Sequence, residues 1–212
     1  MSSIPTEITE YQNDLLTKGW ICLKDKAETE VLEFLNGLGN IFYTTDVFVN
    51  PESKSLVTSV KGLDFHTDHH KANYIAWYCI RQTDLGGESL LVNAELAFNE
   101  LTLEQQLELY KIHLFEHKVF PEDTESYPLV SNNLNSKKEF YYSFWLVNKS
   151  DINNPALKAF QKALEKVKKE IFKLEPRDLL IIDNHRILHG RTPIEGNKDR
   201  LLKRYWLTSN FK

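Results

Sequence analysis

Short segments rich in β-branched and aromatic residues recur along this chain, at 41–49, 55–60, 73–80, 88–93, 112–120, 139–147, 179–183 and 201–208. Such residues suit the pleated, half-buried surface of a strand. About eight strands with few intervening helices predict a β-sandwich, barrel or jelly roll. Helices are expected at 6–18, ended by Gly19, and at 27–38, where Val31, Leu32, Leu35 and Leu38 share a face before Gly39. A short apolar strand, Trp20–Leu23, separates them, and two more helices are expected near 94–111 and 155–172. No repeat, low-complexity tract or Pro/Gly/Ser-rich linker divides the 212 residues, so a single domain over 1–212 is expected. At 42% hydrophobic and 26% charged, the chain can bury a sizeable core.

Charge and composition narrow the partners. The formal net charge is -4, whereas a nonspecific nucleic-acid binder needs clustered Lys and Arg to neutralise phosphates, so no nucleic-acid partner is expected. No apolar run reaches the roughly 18 residues of a membrane span. The opening MSSIPTEITEYQ lacks a basic or an apolar leader region, and the chain reads as cytoplasmic, with no membrane partner. Cys22 and Cys79 lie far apart in apolar surroundings, which speaks against a disulfide framework or a zinc knuckle. Lys162, Lys166, Lys168 and Lys169 read as the solvated face of the last helix.

The chemistry concentrates in Asp64-Phe65-His66-Thr67-Asp68-His69-His70. Alternate residues of an extended chain face the same way, so the His66 imidazole and the Asp68 carboxylate can converge as two metal ligands. A third ligand from His189, just beyond the apolar run Leu179–Ile182, would complete a two-histidine, one-carboxylate facial triad and leave three positions open on Fe(II). Further on, Arg200, Leu202, Arg204 and Trp206 share one face of a strand by period two. Two arginines projecting into one interior call for an anion, and the guanidinium fork suits carboxylates, so a dicarboxylate co-substrate would satisfy them. Pairing with protein carboxylates, or exposure on an edge strand, is the alternative.

These residues resemble the Fe(II)/2-oxoglutarate-dependent oxygenases of the taurine dioxygenase type, a group that includes γ-butyrobetaine hydroxylase-like enzymes. The resemblance runs from about Trp20 to Leu207. It is carried by His66-Thr67-Asp68, by Leu85-Gly86-Gly87-Glu88-Ser89, by the block from Asp183-Asn184-His185-Arg186 to His189-Gly190-Arg191, and by the paired arginines. It implies a mainly β domain with flanking helices, a distorted double-stranded β-helix (jelly roll). It further implies that His66, Asp68 and His189 bind iron, that Arg204 and Ser89 hold the distal carboxylate of 2-oxoglutarate, and that Arg200 lies near the metal-side carboxylate or the substrate. Fe(II), 2-oxoglutarate and O2 are the implied cofactor and co-substrates. With a carboxylate at Asp68, where halogenating relatives carry a small residue, hydroxylation, desaturation or ring closure is implied instead.

Beside the motif, His69 and His70 are candidate substrate contacts or orienting neighbours of the ligands, and Asn73 is a candidate pocket residue. The segment 121–138 is a candidate lid. The expected substrate is a small polar metabolite, an amino acid or related carboxylate. Two alternatives stand beside it: the same chemistry on a substrate tethered to a carrier protein or on a peptide, and a jelly roll that binds a metal or dicarboxylate without turnover. Oligomeric state is not legible.

Overall fold

Leu179, Leu180, Ile181 and Ile182 are all fully buried. The strand they form is therefore covered on both faces, and its alternate residues serve two different cores. The computed structural model describes residues 6–50, 52, 55–115 and 119–209. In chain order the elements are α1 (Thr6–Thr17), β1 (Trp20–Leu23), α2 (Glu28–Leu38), β2 (Gly39–Phe48), β3 (Leu63–His66), β4 (Tyr74–Arg81) and β5 (Ser89–Asn93). They continue with α3 (Ala94–Asn99), α4 (Leu103–Leu109), β6 (His113–Leu114), β7 (Tyr127–Pro128), β8 (Val130–Asn132), β9 (Lys138–Phe140), a single 3-10 turn (Phe144–Leu146) and α5 (Pro155–Lys166). The last strands are β10 (Lys169–Phe172), β11 (Leu179–Asp183), β12 (Ile187–Arg191) and β13 (Leu201–Ser209).

Two antiparallel sheets face one another, in the orders β1-β11-β4-β13-β2 and β10-β5-β12-β3, and make the jelly roll. Between them Ile75, Leu91, Leu180, Ile182, Leu202 and Trp206 form the inner core. On the outer face of the first sheet, Leu179 and Ile181 pack with Leu15 of α1 and Val31, Leu35 and Leu38 of α2. On the outer face of the second, Val92 and Leu188 meet Phe98, Leu109, Phe160 and Leu164 from α3, α4 and α5. Strands β3, β5, β12 and β13 bring the polar side chains of His66, Ser89, His189 and Arg204 to one cavity at this inner core. Among the described residues, no helix is long and apolar enough to cross a membrane.

Several elements differ from the sequence expectation for local reasons. The expected strand at 55–60 is a series of turns, because Thr58 Oγ1 and Ser59 Oγ donate to the nearby carbonyls of Ser55 and Leu56 at 3.3 and 2.9 Å, a local alternative to a strand ladder. The expected helix at 94–111 is two helices, the second restarted by a capping box in which Thr102 and Gln105 each accept the other's backbone N–H. The one at 155–172 stops at Lys166, and Lys169–Phe172 pairs with β5. Of 112–120 only His113–Leu114 is a strand, with residues 116–118 outside the described part. The strand expected over 139–147 ends at Phe140, and Val147 makes only an isolated bridge to Leu114. Strands β3 and β12 were not expected, and His189 lies inside β12 rather than beyond a strand.

Candidate active site

His66 and His189 sit directly opposite one another across the β3–β12 pairing, and their ring centroids are 4.1 Å apart. Gly190 permits this approach, since a Cβ there would lie 2.6 Å from the Leu63 carbonyl oxygen. Two residues past His66 the Asp68 carboxylate folds back, with Oδ1 3.8 Å from Nε2 of each imidazole. The three donor atoms lie within 4.8 Å of one another, and all three residues are buried. The segment between is held throughout. Thr67 grips the Tyr142 backbone twice, its N–H donating to the Tyr142 carbonyl at 2.6 Å and its side-chain Oγ1 accepting the Tyr142 N–H at 2.9 Å. Ser143 donates to the Thr67 carbonyl at 2.8 Å, and Asn184 Oδ1 accepts the Asp68 N–H at 2.9 Å.

The donor chemistry suits a metal ion. His66 Nδ1 lies 2.8 Å from the Asp64 carbonyl; a carbonyl only accepts, so Nδ1 carries the proton and Nε2 presents its lone pair toward Asp68. Burial, with His66 alongside, holds the His189 pKa well below the usual imidazole range, which keeps that ring neutral as a ligand must be. Asp68 divides its two oxygens. Oδ1 faces the histidines, while Oδ2 accepts from Arg204 Nη1 at 2.9 Å and Trp206 Nε1 at 2.7 Å. Trp77 stands edge-on to His189 at 4.7 Å and Trp145 packs against His66 at 4.8 Å.

Beside these residues a cavity of about 470 Å³, mouth included, is lined by His66, His189, Ser89, Arg191, Arg200 and Arg204 among its polar groups. Successive left-handed residues Gly86 and Gly87, at φ 76° and 73°, turn the chain so that Ser89 opens β5 on this cavity. The two arginines of the sequence motif differ. Arg204 lines the cavity and donates through Nη1 to Asp68 Oδ2. Arg200 is 5% exposed, its Nε has no hydrogen-bond partner, and among the described residues no carboxylate lies within ion-pair distance of it. Burial and the neighbouring Arg191 lower its pKa to about 10, so it stays charged.

The flanking candidates are engaged elsewhere. Asn73 Oδ1 accepts from Ser209 N at 2.8 Å, and its backbone bonds Leu207 and Asn184, so it splices β4 to the end of β13. His70 does not line the cavity; it stacks on Tyr127 at 3.4 Å and lies 3.3 Å from Asp123. Asn184 stood in the sequence block that carries the resemblance but with no role assigned, and it also donates to the carbonyls of His69 and Ala72; Trp145 was not singled out. Trp206 was placed on the right face by period two, but nothing in the sequence marks its bond to Asp68.

A jelly roll that gathers two imidazoles and one carboxylate beside a cavity lined by three arginines defines the class of the non-haem Fe(II) oxygenases. Over residues 5–206 the chain matches, and belongs to, the taurine catabolism dioxygenase TauD, TfdA family. Its fold is similar to that of asparagine oxygenase in complex with Fe(II), 3-hydroxyasparagine and succinate, at 15% identity and TM-score 0.76 over 95% of this chain and 78% of that one. The non-heme iron oxygenase OrfP in complex with Fe and α-ketoglutaric acid gives 19% and 0.73 over 97% and 80%. A taurine dioxygenase from Burkholderia xenovorans gives 16% and 0.75 over 99% and 84%. The chain is an Fe(II)- and 2-oxoglutarate-dependent dioxygenase.

Proposed function

We propose that this dioxygenase hydroxylates, or by the same hydrogen abstraction desaturates or cyclises, an unactivated C–H bond of an amino acid or a related small carboxylate. His66, Asp68 and His189 hold Fe(II). Arg200 takes the distal carboxylate of 2-oxoglutarate, with the Ser89 hydroxyl donating to the same group, and Arg204 serves Asp68. The observation that carries this reading is that one cavity, lined by the two histidines of the His-Asp-His set, also holds the buried Arg200 guanidinium, which has no carboxylate of its own among the described residues. Such a charge is costly unless an anion meets it.

Bound Fe(II), with 2-oxoglutarate and O2, supplies the oxidising power, and the co-substrate leaves as succinate and carbon dioxide. The protein's part is placement. Asp64 sets the His66 tautomer, Asn184 fixes Asp68, Arg200 and Ser89 anchor the far end of the co-substrate, and Trp77 and Trp145 wall the two histidines. The substrate class draws support from the hydroxyasparagine in the asparagine oxygenase and the hydroxy-arginine in OrfP. The basic patch that a carrier protein would need is partly engaged, since Lys168 pairs with Glu170 at 2.7 Å and Lys169 donates to the Glu165 carbonyl.

The test is an anaerobic titration of Fe(II)-loaded protein with 2-oxoglutarate, read by the weak visible charge-transfer band of the chelated co-substrate. Free amino acids are then screened by succinate release. A band followed by amino-acid-dependent succinate is expected. Iron binding without a band would overturn the co-substrate assignment, and a band without stimulation by any amino acid would overturn the substrate class.

A further inference from the structure

Arg191 lies two residues beyond His189 on β12, and so on the same face. It is 7% exposed. Its guanidinium makes no ion pair among the described residues and is spent on three neutral carbonyls of the turn segment that precedes β3. Nη1 donates to Val57 O at 2.8 Å, and Nη2 to Ser59 O at 2.6 Å and Lys61 O at 2.7 Å. Among the described residues, that segment pairs with no strand, and its backbone ties include Ser59 N to Leu56 O at 3.2 Å, Asn50 N to Thr58 O at 2.9 Å and Ile194 N to Val60 O at 2.8 Å. Val57 and Leu63, at either end, line the same cavity as Ser89 and Arg200.

We propose that Arg191 is a positioning residue for 2-oxoglutarate: it straps residues 57–61 down as the cover of the co-substrate pocket, so that strap closure and co-substrate binding reinforce one another. The inference rests on the proposed function. A single side chain reaching alternate carbonyls holds the strap in one shape, as only a forked cation can. Arg191 and Arg200 also share the cavity with no carboxylate between them. A dicarboxylate entering beside Arg200 relieves the repulsion between the two cations and leaves Arg191 better held against the strap. The peptide after Lys61 reports closure, because the Lys61 side is exposed to protease while its carbonyl is bound by Arg191.

The experiment uses Fe(II)-loaded full-length protein without oxygen. Binding of 2-oxoglutarate is measured by equilibrium dialysis, and tryptic cleavage after Lys61 is followed by mass spectrometry with and without it. In the wild type the co-substrate is expected to slow cleavage several-fold. Arg191→Met should bind 2-oxoglutarate about tenfold more weakly, the loss of one charged hydrogen-bonding contact, bind Fe(II) as before, and show no protection; Arg191→Lys should recover part of both. Equal affinity and equal protection in Arg191→Met would overturn the proposal, since a purely architectural arginine would lower the melting temperature and leave both readouts in place. Should Arg191→Met fail to fold, Val57→Ala decides: weaker binding with less protection supports the cover, and unchanged binding overturns it. Wild-type protein that binds no 2-oxoglutarate would instead overturn the proposed function, and the inference with it.

Discussion

Two buried clusters of histidine and aspartate stand side by side in this molecule, His66–Asp68–His189 and His69–His70–Asp123, and both bring three donor atoms within 4.8 Å. Their hydrogen bonds make them opposites. In the first, a carbonyl claims Nδ1–H of His66, and Nε2 is left as a ligand. In the second, His69 Nδ1 accepts the Lys71 backbone N–H at 3.1 Å, so the neutral ring carries its proton on Nε2 and directs it at Asp123 Oδ2, 3.4 Å away. Asp123 also faces His70 and the Lys71 ammonium, and accepts from Tyr127 at 3.1 Å. Burial raises its pKa, but the Tyr127 hydroxyl, His70 and Lys71 outweigh that and leave it below the usual carboxylate range. Distance alone would make both clusters metal sites. The tautomer makes one a ligand set and the other a clasp between the segment after Asp68 and the loop that carries Asp123.

The largest effect that can break this contrast is His189→Ala, which should abolish Fe(II)-dependent succinate release while circular dichroism stays native. His70→Ala should keep iron binding, and metal analysis should find one ion per chain even in excess iron; two per chain would erase the distinction. Next, Arg200→Ala should weaken 2-oxoglutarate by roughly 2 to 5 kcal/mol in calorimetric titration, with Arg204→Ala acting first on iron affinity. Equal loss of co-substrate in both variants would return Arg204 to the role its motif implies. Asn184→Ala removes the partner of the Asp68 N–H and of the Ala72 carbonyl and one of the two donors to the His69 carbonyl, and should cost about 1 to 3 kcal/mol in urea denaturation together with some iron affinity. The smallest effect belongs to Lys71→Ala, whose ammonium is 59% exposed; stability should move by less than about 1 kcal/mol.

What could be read from the sequence follows strand geometry. Alternation put Arg200, Leu202, Arg204 and Trp206 on one face, and the unbroken apolar run at 179–182 announced a strand buried on both sides. Short elements defeated the same reasoning: β3 and β12, at four and five residues, leave too little pattern to mark, and β12 hides behind the turn after Asp183. At 55–60 a strand-like composition lost to Ser and Thr hydroxyls bonding their own backbone. The proposed division of labour between Arg200 and Arg204 was illegible for a different reason. Period two fixes a face, but Asp68 reaches Arg204 from a segment 136 positions away in the chain. His70 and Asn73 show the converse, that adjacency to a ligand motif does not aim a side chain at the metal.

The held oxygen of Asp68 sets the denticity of the metal site. With Oδ2 occupied by a guanidinium and an indole, the carboxylate can offer an ion one atom and cannot chelate it. An Fe(II) ion held by two imidazoles and a single carboxylate oxygen would keep positions open for a 2-oxo acid and oxygen. By holding the second oxygen, Arg204 and Trp206 would thereby limit how much of the iron's coordination the protein itself takes up.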